Sequence, residues 1–127
     1  MGSHGGSGYG TEGRLNTLFA SNLKELAEIF PVKNGEFGRP GKNKPVRIIE
    51  AADPAKAAEL FWNKLSQGGT ISTTQNGHLK AVFGTGSFAV FRPKTSTPGS
   101  PGINIGNKGP KNGFAPGHRI HFVQSKG

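Results

Sequence analysis

The 127-residue sequence predicts an α+β domain: one or two N-terminal helices packed on a four- to five-stranded, mostly antiparallel, twisted sheet. Three observations predict it. The stretch "DPAKAAELFWNKLSQGG" (53–69) carries helical apolar spacing between an Asp-Pro start and a Gly-Gly stop. An Asn-Gly pair at 76 and 77 separates "TISTT" from "HLKAVF", a strong hairpin signal. Beyond it, short apolar runs alternate with Gly- and Pro-rich connections as far as "HRIHFV" (118–123).

The elements follow in chain order. "MGSHGGSGYG" (1–10) has no apolar core and reads as an expression scar with a flexible linker, outside the fold. Residues 11–127 read as a single domain whose sheet core spans about 53–123. In 15–30, apolar residues at 15, 18, 19, 23, 26, 27 and 30 lie close to helical spacing. Asn22 and Glu25 are placed to cap its second half, and Pro31 ends it. Residues 31–50 form a Gly/Pro/Lys/Asn loop running into an apolar run at 46–49 that is a strand or a linker. Asp53 then caps a helix with Pro54 at its first position, and Ala57, Leu60, Phe61 and Leu65 share one face. Trp62, next to that face, reads as core packing. "TISTT", "HLKAVF", "FAVF", "INI" and "HRIHFV" are the strand candidates.

Alternation sorts the strand residues by face. Leu79, Ala81, Phe83, Ile71, Thr73, Ile103, Ile105, Ile120 and Phe122 point to the helices. His78, Lys80, Val82, Thr70, Ser72, Thr74, Asn104 and His121 point away. "FAVF" is apolar in both phases, so its facing stays open.

Charge narrows the partners. The net charge is +9, and all seven acids lie before residue 60, beside eight of the sixteen Lys and Arg. The remaining part therefore carries +8 with no acid, a field that attracts polyanions, nucleic acid first. No apolar run is long enough for a transmembrane helix, and no stable membrane anchor is expected. The absence of Cys removes disulfides, thiol catalysis and Cys-ligated zinc. With the acids few and scattered, two-metal nuclease chemistry and carboxylate-pair glycosidase chemistry are disfavoured. The missing Cys set also argues against a zinc deaminase. His118 and His121 fall on opposite faces of one strand, so no metal pair is expected there, and no cofactor.

RNA is cleaved without metal when the ribose 2′-OH attacks the adjacent phosphorus. The reaction needs a base, an acid, and cations on the phosphate. Histidine suits the first two, and Lys and Arg the third. His78 and His121 are the acid/base candidates, with Lys80, Arg92 and Lys94 on the phosphate. Thr74, Thr95, Ser96, Thr97, Ser100, Asn104, Lys108, Lys111, His118 and Arg119 are candidates for substrate binding. Each has a plainer role available as turn former, basic rim or packed core histidine.

"DPAKAAELFWNKLSQGGT", "NGHLKAVFGTGSFAVFRPKTSTPGSPGINI" and "HRIHFV", in that order, resemble the C-terminal toxin domains of contact-dependent inhibition and related polymorphic toxin systems. More closely, they are similar to ribonuclease toxins of the barnase/EndoU/colicin/RelE-like superfamily. The resemblance covers about residues 53–123 and rests on element order and loop style. It implies metal-independent cleavage of RNA, often tRNA, leaving a 2′,3′-cyclic phosphate. It also implies a monomeric domain delivered from the surface of one bacterium into the cytoplasm of another, and a cognate acidic immunity protein. A barnase-style Glu base has no counterpart in the predicted sheet, so the base falls to His78 or His121. A non-catalytic basic nucleic-acid-binding module is the alternative reading.

Overall fold

The structure is a computed structural model that describes residues 8–43, 46–84, 86–93, 100–108 and 112–125, without the side chains of 8–13. The elements are α1 (Gly8–Ala27), β1 (Val32–Lys33), β2 (Glu36–Phe37), β3 (Arg39–Pro40), β4 (Val46–Ala51), α2 (Pro54–Leu65), β5 (Thr70–Thr73), β6 (Leu79–Phe83), β7 (Ser87–Arg92), β8 (Gly102–Gly106) and β9 (Gly117–Gln124). The fold is α+β, with a mostly antiparallel sheet. That sheet has seven strands rather than four or five, in the order β3-β4-β9-β8-β7-β6-β5, and β1 and β2 pair separately.

The additional strands come from residues 31–50. Asn34 and Gly35 both adopt positive φ (55° and 79°), as a two-residue hairpin turn demands, and this joins β1 to β2. β3 and β4 then form one edge of the large sheet. Helix α2 carries the chain from there to the opposite edge, where β5 begins. An antiparallel meander, β5 to β9, fills the middle and ends with β9 parallel to β4. The last strand in sequence therefore lies deep inside the sheet.

Helix α2 forms as its ends prescribe. The Asp53 carboxylate accepts from the Lys56 amide at 3.2 Å, Pro54 opens the first turn, and Gly68 beyond the end has φ 85°. Its buried face is Ala58, Phe61, Trp62 and Leu65; Leu60, expected inward, is exposed, because the face turns by one residue to seat Trp62 on Phe91. Helix α1 begins at Gly8, inside the stretch expected to be linker, and runs unbroken to Ala27. Asn22 is thus not a cap of its own helix. It is buried, and its Nδ2 donates to the carbonyls of Leu65 and Gln67 at 3.1 Å each, closing the C-terminal end of α2.

Both helices cover one face of the sheet. Phe19 meets Phe83, Phe61 meets Phe122 and Phe37, and Leu23, Leu26, Leu65, Ile103 and Ile120 fill the space between. The faces expected for β6, β8 and β9 hold throughout. In β7, Ala89 is buried against the helices and Phe91 packs on the core from the same side. Phe88 and Val90, one residue out of phase, lie on the outer face. In β5 the facing holds too, Ile71 pairing with the buried Ala81 and Thr73 with Leu79, but all four residues are exposed, because an edge strand has no neighbour beyond it to bring it under the helices.

Candidate functional site

The outer face is organised by β8. Gly102 pairs with Arg92 of β7 on one side and His121 of β9 on the other. Two residues on, Asn104 pairs with Val90 and Arg119. Residues so paired lie on the same face of a sheet. The result is two parallel rows: Arg92, Gly102, His121, then Val90, Asn104, Arg119. Gly102 has no side chain, so the space between Arg92 and His121 is not filled from the strand that separates them.

The electrostatics of these rows are unbalanced. Among the described residues, acids pair with Arg39 (to Glu50, 2.8 Å), Arg47 (to Glu36, 3.4 Å) and Lys64 (to Glu25); none reaches Arg92 or Arg119. Burial, and then the charge of Arg119, lower the pKa of Arg92. Burial, followed by the charges of Arg92 and Arg119, holds His121 below its ordinary 6.5. The imidazole is therefore neutral near pH 7 and able to take a proton. The Nε of Arg92 and the Oδ1 of Asn104 are buried without a hydrogen-bond partner among the described residues. Such groups cost free energy in the absence of a partner, and an arriving ligand can supply one.

Lys80 stands on the same face, its ammonium 5.2 Å from the centre of the Phe88 ring. That ring lies across Gly106, where even a Cβ would come within 2.2 Å of it. His78 precedes Leu79 and shares the face of Lys80 by alternation. Its amide donates to Thr74 Oγ1 at 3.1 Å, and Thr74 N donates back to the His78 carbonyl at 2.7 Å, so both residues close the hairpin turn. His78 at the start of β6 and His121 in β9 stand three strand spacings apart, about 14 Å between backbones. The structure thus joins His121 with Arg92, Asn104 and Arg119, and leaves His78 at the border of that group.

Other candidates lie elsewhere. His118 is on the helix side, 3 % exposed; its Nε2 accepts from the Phe37 amide at 3.2 Å, and its ring stacks on Phe37. This is a packed core histidine rather than a loop-end contact. The Ser100 hydroxyl is buried and donates to the Phe122 carbonyl at 3.0 Å. Lys108 is exposed at the end of β8, its amide donating to Ser87 Oγ. Lys94, Thr95, Ser96, Thr97 and Lys111 lie outside the described residues.

The sheet expected from the sequence holds no acid, and β4 corrects that. By alternation with the buried Ile49, Ile48 and Glu50 fall on the outer face, Ile48 directly beside His121. The Glu50 carboxylate is taken by Arg39, whose Nε and terminal nitrogen both donate to Oε2. The apolar run "VRII" was the visible signal, and its strand neighbour was not. Among the described residues, no three His, Asp or Glu side chains gather where they would hold a metal ion. Comparison of the chain with protein-family models, curated proteins and solved structures finds no match.

Proposed function

We propose that this chain is a metal-independent endoribonuclease whose site is the outer face of the sheet, with His121 as the base. The observation that carries the reading is the row Arg92–Gly102–His121: a neutral imidazole and a cation with an unpartnered buried N–H, on either side of a glycine. A phosphodiester seated there has its charge met by Arg92. His121 removes the proton of the 2′-OH and the new O2′–P bond forms. The P–O5′ bond breaks, and the departing O5′ takes a proton from the His78–Lys80 side of the same face. The products are a 2′,3′-cyclic phosphate and a 5′-hydroxyl.

The resemblance to interbacterial toxin domains adds tRNA as substrate, action in the cytoplasm of a target cell, and an acidic immunity protein that covers the unpaired cations. Incubating the protein with total tRNA in EDTA, beside His121→Ala and His78→Ala, tests the proposal on a denaturing gel. Discrete products that vanish in His121→Ala are expected, with a partial loss in His78→Ala. Intact tRNA that shifts on a native gel would instead make the face a non-catalytic binding surface.

A further inference from the structure

The second row, Asn104 with Arg119, is unused by the reaction just described, although it holds the unpartnered buried acceptor Asn104 Oδ1. Phosphate offers only acceptors, so an anion drawn in by Arg119 leaves that oxygen unsatisfied. The ligand has to bring a donor close to its own negative charge. In RNA every 3′-phosphate has a 2′-hydroxyl on the neighbouring carbon, whereas base donors lie across the sugar. DNA lacks that hydroxyl. Two residues along a strand span about 7 Å, which is on the order of the separation of successive phosphates in an extended single strand. The first row and the second are therefore spaced to take successive nucleotides.

We infer that Asn104 and Arg119 form a second-nucleotide subsite, in which Arg119 holds a phosphate and Asn104 Oδ1 accepts from the 2′-hydroxyl beside it. The inference rests on the ribonuclease reading of this face and deepens it: the enzyme reads a ribose next to the one that it cleaves. The 2′-hydroxyl at the scissile nucleotide gives its proton to His121, so it does not serve Asn104. Asn104 pairs with Arg119 across β8 and β9, so a phosphate held by Arg119 brings its neighbouring sugar beside the amide. Asn104 is then a specificity determinant, and its effect falls on binding rather than on the chemical step.

Short oligonucleotides separate the two readings. One carries a single ribonucleotide in DNA; two others add one more ribonucleotide, on its 5′ or its 3′ side. Each two-ribonucleotide oligomer presents one adjacent ribose pair, so the wild type is expected to cleave both about tenfold more efficiently than the single-ribonucleotide oligomer, at the same one of the pair's two bonds, with the difference in KM rather than kcat. Asn104→Ala should cleave all three with the lower efficiency, and Asn104→Asp, which keeps the acceptor, should retain a preference for the second ribose. Equal cleavage of the three oligomers by wild type overturns the subsite while leaving the ribonuclease standing. So does a tenfold preference that persists in Asn104→Ala. Failure to cleave any of them, or tRNA, would overturn both.

Discussion

His118 is surrounded by groups that set its charge. Burial is the largest influence and pushes its pKa down to about 4; Glu36 opposes this, and Arg47 adds to it. The neutral ring keeps the lone pair on Nε2 that receives the Phe37 amide. In the unfolded chain the same ring titrates near 6.5. Between these values the unfolded chain binds more protons than the native one. The stabilisation is thus complete above pH 6.5 and is lost as pH falls toward 4, the loss between the two amounting to about 3 kcal/mol. His118→Gln retains an acceptor for the Phe37 amide but does not titrate. Urea denaturation at pH 7 and pH 4 should show the variant losing about 3 kcal/mol less than wild type on acidification. Equal losses would assign the acid sensitivity elsewhere. His118 also shows how far residue-level reading reaches. Alternation put it opposite His121, and that is correct. Its burial follows from Phe37, 81 positions away in sequence, and no local pattern connects the two.

Elements were legible where their ends carry chemistry. Asp53-Pro54 and Gly68 delimit α2, and alternation from Leu79 to Phe83 and from Ile120 to Phe122 gave the correct faces. The Asn-Gly pair at 34 and 35 is the same dipeptide as at 76 and 77, yet its flanking strands are two residues each, too short to show a period. Strand β4 was hidden differently. It pairs with β9, more than 70 positions away, and only that neighbour brings it beside His121 on the outer face. Asn22 joins elements in the same non-local way, its amide spanning from α1 to the carbonyls that end α2. Asn22→Ala leaves those carbonyls without their donor and should cost about 1–3 kcal/mol. Asp53→Ala, at the exposed start of the same helix, should cost about 1 kcal/mol. Denaturant midpoints of the two variants measure the order, and an Asp53→Ala loss exceeding that of Asn22→Ala would show that the α1–α2 junction is not held by this amide.

For the molecule as a whole, the charge excess of the second half becomes a group of unpaired cations on one face. Described ion pairs use cations at positions 39, 47 and 64, while Lys80, Arg92 and Arg119 of the outer face have no acid partner among the described residues. Only the arrangement of β6 to β9 puts these three on one side of one sheet, together with His121. Folding thus gathers three of the cations that follow residue 60 into one local field, with no acid paired to them among the described residues. If a single strand of RNA lies along the two rows and reaches Lys80, it displaces counterions from about three phosphates. The logarithm of the binding constant should then fall with the logarithm of salt concentration with a slope of about −2. Replacing both Arg92 and Arg119 by Gln should bring the slope to about −0.7 and weaken binding most at low salt. Replacing Arg39 by Gln, whose cation is already paired with Glu50, should leave the slope unchanged. Fluorescence anisotropy of a labelled oligoribonucleotide in EDTA, with His121→Ala as the common background so that the strand stays intact, measures all three. A slope that responds as strongly to Arg39 as to Arg92 and Arg119 would mean that the strand follows the β3–β4 edge instead of the middle of the sheet, and the site would have to be moved there.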